Sequence, residues 1–209
     1  SQSSKSNIKG SELQHVLSRD QLKALLQESN SSEITKGRKN LSSLVLWLGR
    51  KLGFFEDMEK IRKLSKLWMP LGKNVVIIGG GLVGVELSHF LSERKRNVSV
   101  LETRPVMAPE MAHPRRWRSL HQGSLSGVKF HNNIQVVEIR KNSVVYIKDE
   151  SECEVPADSV ILAEGIEADR KLHEKFADIE VETHIIGDAE SIGYIEGAVR
   201  SGNKVGQIV

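Results

Sequence analysis

Hydrophobic residues change their spacing along this chain, and the changes mark its elements. Asn74 to Ile78 (NVVII) is an uninterrupted, β-branched apolar run, the pattern of a strand buried on both faces. A loop, Gly79-Gly80-Gly81-Leu82-Val83-Gly84, follows without a gap. From Val85 the apolar positions recur at helical spacing through Leu87, Phe90 and Leu91, and a second strand, Val98 to Leu101, ends at Glu102. After a loop from Thr103 to His113, Pro114 suits the first turn of a helix reaching about Leu125, and Val128 to Phe130 reads as the next strand. Three β-runs, Ile134 to Ile139, Val144 to Lys148 and Glu152 to Val155, are separated by polar turns and predict a small antiparallel meander. Asp158 to Ala163 is again a continuous apolar strand, returning to the parallel sheet.

The first third of the chain carries a different pattern. Ser1 to Gly10 is rich in Ser, Gln and Lys and is expected to be mobile, and His15-Val16-Leu17 reads as a short extended segment. Ser18 with Gln21 makes a capping box for a helix carrying Leu22, Leu25 and Leu26. Beyond a polar linker from Asn30 to Asn40, Leu41, Leu44, Val45, Leu48 and Leu52 predict an amphipathic helix that Gly53 stops. A second, from about Asp57 to Trp68, sets Met58, Ile61, Leu64 and Trp68 opposite Lys60, Arg62, Lys63 and Lys66, a basic side that is either solvated or a docking face. Trp47 and Trp68 either stack on a ligand ring or, as members of apolar stripes, pack in the core, the reading preferred here. The chain thus divides into a tail (1–12), a helical segment and linker (13–72), a Rossmann-like domain (73–165) and a C-terminal segment (166–209). The fold class is α/β, a Rossmann-like parallel sheet with a three-stranded antiparallel meander, preceded by amphipathic helices.

The glycine loop carries the chemistry. Strand, glycines, helix, second strand and terminal acid fall in the register of a dinucleotide-binding βαβ unit, with Glu102 about 20 residues beyond the loop. Gly79 permits the tight turn, Gly81 lets the backbone approach a pyrophosphate, and Gly84 lets the helix pack on the strand. The phosphates would meet a helix N-terminus, whose free N–H groups favour an anion. Glu102 would accept from the ribose hydroxyls and repel a 2′-phosphate, which favours NAD, whereas Arg104, just past Thr103, suits the 2′-phosphate of NADP. Arg115, Arg116 and Arg118 surround Trp117 near the start of the following helix, where cations oppose the helix dipole, so either an anionic ligand or a neighbouring carboxylate is expected beside them.

Composition removes other classes. A formal net charge of +3 over 209 residues gives no reason to expect nucleic acid or a membrane surface as partner. The single cysteine, Cys153, forms no internal disulfide, redox pair or cluster ligand set, and the seven dispersed histidines include no HxxxH pair, so no metal site is expected. No apolar run approaches a membrane span and no signal peptide opens the chain, so a cytoplasmic location is the default expectation. The chain opens on Ser1 and stops on Val209 within an apparent helix, as a piece of a longer protein would.

The order GGGLVGVEL, VLE, meander, ADSVILAEG and HIIGDA resembles the flavoproteins with two dinucleotide-binding domains. HVLSRDQLKALL, MPLGKNVVIIGGGLVGVELSHFLSER and IIGDAESIGYIEGAVRSGNKVGQIV are most similar to the C-terminal half of the NADH:flavin oxidoreductases of the 2,4-dienoyl-CoA reductase and trimethylamine dehydrogenase group. The resemblance implies that the loop from Gly79 through Gly80, Gly81, Leu82 and Val83 to Gly84, with Glu102, Thr103 and Arg104, holds the pyridine nucleotide. It implies that Glu86 lies toward the nicotinamide, or else stabilises its helix's first turn. By it, Gly187 and Asp188 match a Gly-Asp pair that bonds the flavin ribityl chain, or else cap a helix. Ala163-Glu164-Gly165 stands where the group has Ala-Thr-Gly. A second GxGxxG, the FMN barrel and the cysteine cluster of the group have no counterpart here, so FAD has half a site and a flavin-binding or catalytic domain is expected in the same chain or a partner. Residues 13–72 would then be a remnant of the FAD-domain edge, and 166–209 part of that domain. Hydride transfer needs orientation more than side-chain chemistry, so no catalytic acid or base is named. Three functions stay open: the NAD(P)H-binding portion of a flavin-dependent oxidoreductase, a non-catalytic NAD- or ADP-binding module, and a truncated interaction domain.

Overall fold

The computed structural model describes residues 2–3, 8–18, 21, 71–163, 165–168, 176 and 182–208. The helices expected between Leu22 and Trp68, with Trp47, Trp68 and the basic face, lie outside the described residues. Contacts divide the chain into two compact units, Ser6–Ala163 and a smaller one made of Ser1–Lys5 with Glu164–Val209.

In the larger unit, β2 (Val16–Ser18), β3 (Asn74–Ile78), β4 (Asn97–Leu101), β5 (Lys129–His131) and β9 (Ser159–Leu162) form one parallel sheet in the order β2-β9-β3-β4-β5. Helix α1 (Leu82–Ser92) joins β3 to β4, and α2 (His113–Leu125) joins β4 to β5 with Pro114 in its first turn. A second sheet, β6 (Gln135–Arg140), β7 (Ser143–Lys148) and β8 (Ser151–Pro156), is the expected antiparallel meander.

Alternation along the strands explains why their sequences are apolar throughout. Val75, Ile77, Val98 and Val100 pack with Val85 and Leu91 of α1 on one face of the parallel sheet. Val76, Ile78, Leu101 and Val160 point the other way and pack with Ile139, Val144, Tyr146 and Val155 of the meander. With a helical layer on one side and a β layer on the other, no strand face is left for water, so each central strand reads as a continuous run. Ile77 and Val76 are both fully buried, neighbours in sequence that serve opposite layers.

Order begins earlier than the composition suggests. Within the stretch expected to be mobile, Lys9 bridges to Glu138, its carbonyl accepts the Ile139 N–H at 2.8 Å, and Gly10 is buried with φ +88° against the Ile139 backbone. The Ser18–Gln21 capping box forms reciprocally, Gln21 N–H donating to Ser18 Oγ at 3.2 Å and Ser18 N–H to Gln21 Oε1 at 2.9 Å.

In the smaller unit, β1 (Gln2–Ser3) pairs antiparallel with β10 (Ile166–Glu167), and a 3-10 turn, Gly187–Ala189, precedes α3 (Tyr194–Gly206).

Candidate functional site

The strand order reverses direction between β3 and β9: β4 and β5 follow β3 on one side, and β9 lies on the other. Ligands of open α/β sheets bind outside the carboxyl ends of strands at such a switch point, and the glycine loop leaves β3 there. Ala163, at the end of β9, donates its N–H to the Ile78 carbonyl at 2.8 Å and so flanks the loop.

Each motif glycine has a visible reason. Gly79 turns at φ +107°, a conformation that side chains resist. A β-carbon on Gly84 would collide with the Gly79 carbonyl oxygen, so the helix touches the turn backbone to backbone. Gly81 is extended, and beyond it the nearest atoms to an added β-carbon are Arg104 Nη2 at 3.5 Å and the Glu110 carboxylate oxygens at 3.6 and 3.7 Å. Gly80 is clamped at both ends, its N–H donating to Glu102 Oε2 at 2.8 Å and its carbonyl accepting from Ala108 N–H at 2.7 Å. Leu82 and Val83 open the helix, Val83 at the surface.

Glu102 is 5% exposed and surrounded by donors. Its Oε1 accepts from Arg104 N–H at 2.9 Å, Arg104 Nε at 3.1 Å and Thr103 Oγ1 at 3.2 Å, and its Oε2 accepts from Gly80 N–H and from Arg104 Nη2 at 3.0 Å. A carboxylate offers about four lone-pair positions, so this one is fully used by its own chain. Burial by itself would raise its pKa, but Arg104's side-chain and backbone hydrogen bonds, that residue's charge and the Gly80 N–H outweigh it, and the pKa lies below its ordinary value. Arg104 is held above its ordinary pKa, first by its hydrogen bonds to Glu102 and, against burial, by those to Glu110, whose Oε1 lies 2.8 Å from Nη1.

The remaining expected residues make contacts within their own units. Glu86 is half exposed on α1 and pairs with Arg115 of α2 at 2.5 Å, so a neighbouring carboxylate, one of the two compensations expected, meets a cation early in that helix. Arg115 and Glu86 are thereby engaged at the surface. In the smaller unit, Asp188 Oδ1 accepts the N–H groups of Gly193 and Tyr194 at 3.1 and 3.0 Å, at the start of α3. Gly187 turns at φ +63° and donates its N–H to Ser201 Oγ at 2.8 Å. Gly165 belongs to this unit as well. Among the described residues no group of three or more His, Cys, Asp or Glu could hold a metal.

The family model for pyridine nucleotide-disulphide oxidoreductases matches residues 45–190. The chain belongs to this family. Its members are flavin-dependent oxidoreductases that use dinucleotide cofactors. Among curated relatives, an NADH oxidase of Thermoanaerobacter brockii is 32% identical over 143 residues, covering 68% of this chain and 22% of that one. A bilirubin reductase of Mediterraneibacter gnavus is 31% identical over 155 residues, covering 74% of this chain and 24% of that one. A solved 2-naphthoyl-CoA reductase superposes with a TM-score of 0.65 at 19% identity, covering 97% of this chain and 25% of that one, a likeness of fold. The chain therefore spans about a quarter of the length of these proteins. No helix among the described residues is long and apolar enough to cross a membrane.

Met107, Ala108 and Glu110, which no sequence motif marks, fold the loop after β4 back over the glycines. Ala108 is fully buried at φ +43°, and Met107 would block any side chain on Gly80. One trace is readable: Met107, Ala108 and Met111 make the loop apolar where it turns out to be buried, although the neighbouring Val106 is exposed.

Proposed function

We propose that the chain is the NAD(P)H-binding portion of a flavin-dependent oxidoreductase and that it positions a nicotinamide for hydride transfer to a flavin. The observation that carries this reading is the glycine loop at the switch point, with Gly79 and Gly84 in backbone contact and the acid at the end of β4 buried behind the loop. A nicotinamide held by this loop would supply hydride-donor chemistry toward a flavin. This chain's own residues bind and orient. The N–H groups at the start of α1 favour the pyrophosphate, Gly81 leaves room for it, and the Glu102 end of β4 flanks the adenosine ribose. Since Glu102 is already saturated, it reaches a ribose hydroxyl only as Arg104 gives way.

The same cluster favours NAD over NADP. Arg104, the cation that would meet a 2′-phosphate, is already paired with the buried Glu102 at the end of β4, so its charge is neutralised where that phosphate would lie. The NADH:flavin oxidoreductase and 2,4-dienoyl-CoA reductase group remains our placement within the family, and a flavin domain or partner subunit would complete the site. Within the smaller unit, we assign the Gly187–Asp188 turn to a flavin contact. A non-catalytic NAD- or ADP-binding module is the second reading, favoured by the use of Asp188 at the start of α3.

Calorimetric titration with NADH, NADPH, ADP and FAD, with a visible spectrum, separates the two. NADH binding tighter than ADP, together with FAD affinity, supports the oxidoreductase reading. ADP binding as tight as NADH, with no flavin, replaces it with the module.

A further inference from the structure

The loop that carries Glu110 is built into the core. Met107, Ala108 and Met111 are buried in the helical layer, Ala108 N–H holds the Gly80 carbonyl, and Met111 N–H closes a turn on the Ala108 carbonyl at 3.0 Å. This turn delivers Glu110 to the start of α1. The helix has no side-chain cap from Gly81 and no acid in its first turn. Glu110 supplies what is missing: its Oε2 accepts the Leu82 N–H at 3.3 Å while Oε1 accepts Arg104 Nη1 at 2.8 Å. Its carboxylate and the Arg104 guanidinium also fill the space over Gly81, the glycine that lets a pyrophosphate approach.

We propose that Glu110 is a tethered anion standing in the pyrophosphate position of the glycine loop, and that a dinucleotide binds by displacing it. The inference rests on the dinucleotide reading of this loop. Two anions cannot share one helix N-terminus without repulsion, so the chain with Glu110 seated is the binding-incompetent state, and its population lowers the apparent affinity by that fraction. The pyrophosphate wins by its greater charge and by the further N–H groups it reaches in the first turn. Glu110 thus sets how strongly the loop holds phosphates, independently of the base, ribose or nicotinamide attached to them. It also keeps the helix terminus and Arg104 paired when no ligand is bound.

The test is calorimetric titration of the full chain and its Glu110→Gln and Glu110→Ala variants with ADP, NADH and adenosine, at fixed ionic strength. Removing the charge is expected to tighten ADP and NADH by a similar factor, about fivefold to tenfold for the loss of a charge-assisted contact, and to leave adenosine unchanged. Unchanged or weaker ADP binding in both variants overturns the proposal while leaving the dinucleotide reading standing. So does adenosine tightening by the same factor, because the gain would then not come from phosphate. If neither the parent nor the variants bind ADP or NADH while their circular dichroism is that of folded chains, both readings fall together.

Discussion

Glu102 braces the glycine loop before any ligand arrives, and its removal should register as lost stability in the free chain. Glu102→Ala deprives the buried Gly80 N–H and the Arg104 N–H of their acceptors. A buried donor left unpaired costs about 1–3 kcal/mol, and Arg104 retains Glu110, so we expect a loss of roughly 2–4 kcal/mol. That is a large share of the ~5–15 kcal/mol that holds a typical domain. The assay is urea unfolding of ligand-free parent and variant at pH 7, followed by the same comparison for Glu102→Gln across acid pH. The free carboxyl titrates near about 4.3, and in the folded chain Glu102 titrates lower. As pH falls, the unfolded chain takes up the proton first. The stabilisation is therefore full above the unfolded value and disappears as pH drops through the folded one. The parent should lead Glu102→Gln clearly at neutral pH, and the lead should shrink below about pH 4. An Ala variant that unfolds at the parent's urea concentration, or a Gln gap that stays constant into acid, would refute the bracing role.

Three further outcomes follow from the same contacts. Gly84→Ala drives a β-carbon into the Gly79 carbonyl, so α1 must lift from the turn; a loss above about 3 kcal/mol, seen as a lowered melting temperature with nucleotide binding abolished, is expected. Gly10→Ala combines a left-handed backbone with a collision against the Ile139 carbonyl and should lower the melting temperature by an amount equivalent to at least about 1–3 kcal/mol, with hydrogen exchange rising along β6. Asp188→Ala removes the acceptor for two N–H groups at the start of α3, costing about 0.5–2 kcal/mol, and should speed amide exchange at Gly193 and Tyr194 without altering exchange in β3.

What the sequence revealed and what it concealed divide along a physical line. Strands β3, β4 and β9 and the meander were legible because two-sided burial writes apolar runs and one-sided turns write polar breaks. The Ser18–Gln21 box was legible because both partners lie within one helical turn. Glu102 was found by its position at the end of a strand, but not its neighbours: nothing in the order of residues says that Gly80, Thr103 and Arg104 would exhaust its acceptors. Lys9 and Gly10 looked like tail because their partners, Glu138 and Ile139, are remote in sequence. Glu110 lacks any periodic signal, since a loop's polar residues have no fixed face until its buried neighbours dictate one. Asp188 carried two readings at once, because the same carboxylate that would hold a ligand can also hold a helix end.

The position of β9 in the sheet has a consequence for how the chain is made. Val160 is registered between Val16 on one side and Val76 on the other, yet it leaves the ribosome long after both. Strands β3 to β5 can assemble among themselves as they emerge. Among the described strands, β2 pairs only with β9, so its backbone groups wait for β9, and the edge of β3 waits with them. Late insertion of a central strand is slow because a long loop must close before any contact rewards it, and the open edge is vulnerable to other chains meanwhile. Translation that pauses before Ser159 should therefore leave nascent chains prone to aggregate, and one that proceeds quickly through Leu162 should rescue them.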